Sequence, residues 1–146
     1  MIKTLLFLHI LLFMFSFAFT GGLGIYLARM AKNSDHATIQ AAFRTAAPLT
    51  LMGGIGWILT GIIGGALAQA YGFDPTAPWL VAVYVVFAIL LLNGFLLHRP
   101  LHRRVATATP GPQLEAALHA PMHRVAAIVS GLSVLALVFL MVVRPG

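Results

Sequence analysis

The stretch Leu5–Leu27 (LLFLHILLFMFSFAFTGGLGIYL) is an almost unbroken apolar run, and it leaves such a chain few folds to choose from. As a helix rising 1.5 Å per residue it is about 35 Å long, enough to cross the hydrocarbon of a bilayer. Its polar residues are not scattered. His9, Ser16 and Thr20 fall within about 40° of one another at 100° per residue, with Phe13 between them. An ionisable side chain at membrane depth is costly, so His9 is expected to face other helices and marks a candidate functional position.

Only 8% of the residues are charged, against about 25% in a soluble domain, so the chain cannot cover itself with a water-facing surface. Its 146 residues suffice for one compact bundle and not for a second, soluble domain. Cysteine is absent, which excludes disulfides, thiolate metal sites and cysteine nucleophiles. Lys and Arg outnumber Asp and Glu nine to three. In this context the excess reads as membrane topology, not as a nucleic-acid partner. A cleaved signal peptide is the rival reading of the first run, with Lys3 as its basic start and Ala18-Phe19-Thr20 as a poor cleavage site. The run continues to Leu27, and Arg29 and Lys32 come after it as a stop signal, so the segment is expected to be retained.

Four apolar segments, at about residues 3–28, 46–70, 79–98 and 122–143, predict an all-α integral membrane bundle of four transmembrane helices. Pro48 suits the first turn of the second helix, where no amide donor is needed. Residues 72–78 (GFDPTAP) read as a tight turn, with Trp79 at the interface beyond it. The connections 29–45 and 99–120 read as polar, the second as the most mobile because of Pro100, Pro110, Gly111 and Pro112. Arg29, Lys32, Arg44, Arg99, Arg103, Arg104 and Arg124 share one side of this topology, and only Lys3 and Arg144 lie on the other. The positive-inside rule then places both termini and the 71–78 turn outside the cytoplasm (N-out, C-out), with His9 about 9 Å below the start of its helix.

The second segment carries Gly53, Gly54, Gly56, Gly61, Gly64 and Gly65. Gly61 and Gly65 form a GxxxG pair, and Gly56, Thr60 and Gly64 extend a small-residue face. Such a face suits helix packing, docking on a larger membrane complex, or a flat cofactor such as a porphyrin. His9 is open to three roles: a hydrogen-bonded structural histidine, a proton relay, or an axial haem ligand whose second ring nitrogen is held by a partner. At a similar depth lie Tyr84, a candidate hydrogen-bond partner of the imidazole, and Met141, a candidate second axial ligand.

On the basic side, His98-Arg99-Pro100-Leu101-His102 and His119-Ala120-Pro121-Met122-His123 share the pattern H-x-P-x-H. His98, His102, His119 and His123 are candidate ligands for zinc or copper. Against this, a proline inside each pair is expected to disturb the i,i+4 geometry, and the neighbouring arginines repel a cation; a basic rim at the lipid headgroups is the competing reading. Asn93 and Gln69 are expected interhelical hydrogen-bond partners. Asp35, Asp74 and Glu115 all fall in connections, so no intramembrane carboxylate pair exists, and no nucleophile–base arrangement or phosphate loop is visible.

Leu8-His9, then Gly22-Leu23 and Tyr26-Leu27-Ala28-Arg29, then the closing Met141-Val142-Val143-Arg144-Pro145-Gly146 carry a resemblance. The chain resembles a bacterial family of predicted four-helix integral membrane proteins of unknown function. That family is similar in layout to HemJ-type protoporphyrinogen oxidases and to the membrane part of CopD copper-resistance proteins. The HemJ resemblance implies a haem b ligand at His9. The lysine and the later histidine of that family fall near Val83 and Asn93 here. The resemblance and the apolar segments together imply a multi-pass protein of the bacterial inner membrane. Its expected partners are the lipid bilayer and a larger membrane complex or a second copy, with no nucleic acid. Its expected role is a small non-catalytic accessory or assembly bundle. The alternatives are a haem b-associated redox protein, an oxidoreductase if it is an enzyme, and a copper-handling protein.

Overall fold

The computed structural model describes residues 1–144; Pro145 and Gly146, the last two residues of the closing motif, lie outside the described residues. The described residues form helices joined by short turns, with no strand among them. Helix α1 (Ile2–Asn33) contains a π-helical turn at Ala18–Gly22, α2 is His36–Ala70, and α3 (Pro78–Thr107) contains a second π turn at Gly94–His98. A short α4 (Pro112–Leu118) precedes α5 (Met122–Val143). Helices α1, α2, α3 and the stretch Pro112–Val143 are each long and apolar enough to cross a membrane, which makes the chain a multi-pass membrane protein of the all-α, four-helix class. The outward surface agrees. Ile62, Leu96 and Leu135 are each more than 60% exposed, as residues facing lipid instead of water would be.

The helices exceed the expected segments at one end. The second helix starts at His36, not near residue 46, and only Ser34 and Asp35 separate it from α1. Asp35 caps it by accepting from the Thr38 amide at 3.2 Å, which satisfies one of the first-turn donors. Pro48 therefore lies inside α2 and not in its first turn. The segment 99–120, expected to be the most mobile, is largely helical as the end of α3 and as α4. The reason is a buried apolar cluster: Leu27, Ile39, Phe43 and Ala46 pack with Val105, Ala106, Ala108 and Leu114. Ile39 and Phe43, like Leu101 and Val105, are four residues apart and share a helical face. The π turn at Gly94–His98 falls just before Pro100. A proline ring clashes with the carbonyl four residues earlier, and a widened turn relieves that clash without ending the helix.

Two polar side chains close this end. Gln40 donates from Nε2 to the carbonyls of Val105 (3.3 Å) and Ala108 (2.6 Å), and Arg44 donates from Nε to the carbonyl of Ala106 (3.1 Å). These are carbonyls at the end of α3, which have no partner within the helix itself.

The bundle is built as two antiparallel hairpins, α1 on α2 and α3 on α5. They join chiefly at the basic end, where α2 packs on the last turns of α3. Toward the 71–78 turn α2 and α3 touch sparingly, and a cavity opens between the hairpins.

Candidate functional site

The α1–α2 seam is set by small residues. The seam runs antiparallel: Thr20 lies over Gly53, Ser16 over Gly56, and His9 over Gly64. A Cβ on Gly53 would stand 2.8 Å from Thr20 Cγ2, and one on Gly64 2.8 Å from His9 Cε1. A Cβ on Gly56 would run into Ser16 Oγ. The helices approach this closely because those side chains are missing. Ser16 and Thr20 return their hydroxyl protons to their own helix, at Leu12 O (2.6 Å) and Ser16 O (2.7 Å). Thr20 Oγ1 also accepts from Trp57 Nε1 at 3.1 Å. The polar stripe on the first helix therefore faces the second, as a hydrogen-bonded seam.

His9 is the member of the stripe with chemistry left over. Its Nδ1–H donates to the carbonyl of Thr60 at 3.0 Å. That bond fixes the tautomer and leaves Nε2 with its lone pair; among the described residues Nε2 has no hydrogen-bond partner. A ring held in this way through one nitrogen is oriented as metal-ligating histidines are. Tyr84 is the partner expected from depth to hold the imidazole, and the Thr60 carbonyl takes that place instead.

The His9 ring lines a cavity of about 290 Å³ to which α1, α2, α3 and α5 all contribute. Tyr84 and Met141 line the same cavity, so the three residues singled out by depth are brought to one site. Its wall is aromatic. Phe13 meets Trp57 edge-on with ring centroids 5.4 Å apart, and Trp57 meets Phe87 at 6.5 Å. Gly61 lies under Phe87, where a Cβ would stand 2.5 Å from Cε1, whereas beside Gly65 nothing comes within 4 Å. The GxxxG pair is thus divided between packing and open cavity. Gly53, Gly56, Gly61 and Gly64 are covered by the chain's own side chains, so these four positions serve packing within the chain.

At the chain-terminal end of the cavity lie Phe73, Trp79 and Arg144. The Arg144 guanidinium stands 4.8 Å from the Phe73 ring centroid and 5.8 Å from that of Trp79, within cation–π range. Asp74, in the same turn, is occupied by Thr76, whose amide (2.8 Å) and hydroxyl (2.7 Å) both donate to Oδ1. The Thr76 hydroxyl, then its amide, hold the Asp74 carboxyl below the usual carboxylate range.

The four histidines of the basic end do not converge. His98 and His102 do share a face, with ring centroids 5.7 Å apart, and His123 stacks on His102 at 6.2 Å. The proline between His98 and His102 does not separate them, contrary to expectation, because the helix continues through it. His119 is elsewhere: its side chain is 78% exposed and its Nδ1 donates to the Glu115 carbonyl at 2.9 Å. Glu115 also accepts from His36 Nε2 at 2.6 Å. Among the described residues no three His, Asp or Glu side chains are placed to hold one metal ion, so the expected set of His98, His102, His119 and His123 is not a ligand shell. His123 donates from Nε2 to Ala117 O of α4 (3.0 Å), and His98 Nε2 lies 3.1 Å from Ser130 Oγ of α5, so these rings serve packing among α3, α4 and α5.

Asn93 bridges the same two helices, donating from Nδ2 to Ala126 O and Ser130 Oγ, each at 2.8 Å, while its buried Oδ1 has no partner. The expectation of an interhelical bond holds for Asn93. Gln69, by contrast, is exposed and its side chain makes no hydrogen bond among the described residues. Phe73 and Arg144 were not legible as site residues, because a turn aromatic and a terminal arginine are ordinary interfacial signals. No family model, curated protein or solved structure matches this chain.

Proposed function

We propose that this chain is a multi-pass protein of the bacterial inner membrane that binds haem b in the aromatic cavity through His9 and serves as a membrane redox protein. The observation that carries the reading is the bond from His9 Nδ1 to the Thr60 carbonyl, 3.0 Å long, which leaves Nε2 as an unprotonated donor on a ring that lines the cavity. The donor chemistry fits the group. His9 would hold the iron, and the Met141 thioether on the same cavity is a second residue that could hold it. The space is small for it: about 290 Å³ lies at the lower end of small-molecule sites, roughly 300–1,000 Å³.

Haem, when bound, supplies a one-electron couple. The chain's own contribution is positional. Thr60 sets the imidazole plane, Gly64 lets the ring approach α2, and Phe13, Trp57 and Phe87 keep water from the site. The positive-inside distribution favours the outer half of the membrane for this cavity. Four glycines of the second helix are used for packing within the chain, and among the described residues no three His, Asp or Glu side chains are grouped to hold copper, so the haem reading is the one the cavity favours.

The test is an absorption spectrum of detergent-purified protein from haem-replete cells, oxidised and then reduced with dithionite. A Soret band with sharpened α and β bands on reduction, absent in His9→Ala and shifted in Met141→Leu, is the expected result. A colourless wild-type protein would overturn the proposal.

A further inference from the structure

The cavity carries one formal charge, and among the described residues that charge has no counter-ion. Arg144 lines it, and no carboxylate among the described residues lies within ion-pair distance of its guanidinium. Nε is spent on the Met141 carbonyl at 3.3 Å, and neither terminal nitrogen has a hydrogen-bond partner among the described residues. An arginine at the end of a transmembrane helix ordinarily extends to the headgroup water. This one is exposed but turns back over the chain's own aromatic side chains. α5 ends on Arg144 in the left-handed conformation, φ 48° and ψ 58°, which favours glycine. From there the side chain lies over Phe73 and Trp79, with the guanidinium 4.8 and 5.8 Å from the two ring centroids. Two aromatic faces thus position a planar, bidentate anion donor at the edge of a mainly apolar, aromatic cavity.

We infer that the cavity selects an amphiphilic acid, whose apolar body lies among Trp57, Phe87 and Met141 and whose carboxylate pairs with Arg144. The inference rests on the reading that the cavity holds a ligand, and it does not depend on iron at His9. An apolar molecule lacking the acid would leave the guanidinium as it is and gain only the contact with the wall. The acid gains a charge-assisted pair as well.

Both tryptophans of the chain, Trp57 and Trp79, line the cavity, so their fluorescence reports its occupancy. The probes are iron-free protoporphyrin IX, which carries two carboxylates, and its dimethyl ester, which carries none. Both are titrated into the protein in phosphatidylcholine nanodiscs, where no anionic lipid competes. The wild type is expected to quench at roughly fivefold lower concentration of acid than of ester, as for a partly exposed ion pair. Arg144→Gln removes that preference, and Arg144→Lys, which keeps the charge, retains most of it. Equal quenching by acid and ester in the wild type, or an unchanged preference in Arg144→Gln, overturns the inference and leaves the cavity standing as a ligand site. Quenching by neither probe overturns it together with the cavity reading. Acid-selective quenching in a protein that shows no Soret band with haem overturns only the His9–iron proposal.

Discussion

The imidazole of His9 lies directly on Gly64, so close that a Cβ at residue 64 would stand 2.8 Å from its Cε1. The same ring is tied to Thr60, one helical turn away, through Nδ1 at 3.0 Å. Gly64 therefore sets how closely the ring can approach α2, and the Thr60 carbonyl sets its rotation.

Gly64→Ala is expected to push the ring off α2. Overpacking of this kind costs roughly 1–3 kcal/mol, read as a lower midpoint in denaturant unfolding of the detergent-solubilised protein, and it should also abolish any His9-dependent Soret band. Gly65→Ala is the control. Nothing lies within 4 Å of the added methyl, and the gain in helix propensity should leave stability unchanged or raise it by up to about 1 kcal/mol.

Trp57→Phe removes the donor that reaches Thr20 Oγ1 at 3.1 Å and keeps most of the ring. A loss of about 0.5–1.5 kcal/mol is expected. In a double-mutant cycle with Thr20→Val the two effects should not add, since each change deletes the same bond. Additive losses would place the Trp57 contribution in packing alone.

Gln40→Leu leaves the carbonyls of Val105 and Ala108 without their partner at the buried basic end. A destabilisation of about 1–3 kcal/mol should result. Hydrogen–deuterium exchange is expected to rise across residues 99–118, while the α1–α2 seam keeps its protection.

Asn93→Leu is expected to cost less than about 1 kcal/mol, although it deletes two hydrogen bonds of 2.8 Å. Interhelical bonds in membranes average about 0.6 kcal/mol, and the change also removes Oδ1, a buried acceptor with no partner. Unfolding of the variant beside the wild type measures the balance. A larger loss would mean that Oδ1 is satisfied by something other than the chain, such as an internal water.

The extra helical length at the basic end was hidden by its composition. Arg99, Arg103 and Arg104, with Pro100, read as a loop when counted as polar residues. Taken by spacing, Leu101 and Val105 mark the buried face of a helix, and Ile39 and Phe43 mark its counterpart across the cluster. Pro48 misled for a related reason: a proline signals a helix start only if the helix does not already begin twelve residues earlier, at His36.

The site divides along similar lines. Depth along a helix is a one-dimensional quantity, so His9, Tyr84 and Met141 could be placed on a common level by counting residues, and they do line one cavity. The partner of the imidazole could not be found that way, because it is a backbone carbonyl, Thr60 O, and every residue carries one. The failure of the four histidines to meet was equally out of reach, since it depends on His119 closing α4 and bonding Glu115 instead of joining α5.

What this chain's sequence determined by itself is the solvent it must live in. Runs of apolar residues long enough to cross a bilayer, with so few charges, leave every backbone polar group to be satisfied within a helix, and four such runs make a multi-pass helical bundle. What only the tertiary structure decided is which faces meet. In lipid the apolar faces of a helix are nearly equivalent, so close packing and a few polar contacts choose among them. Here the missing Cβ atoms of Gly53, Gly56 and Gly64 seat α1 on α2. The buried cluster at the basic end then holds the two hairpins together, and the cavity that His9 and Arg144 share is the space those contacts leave open.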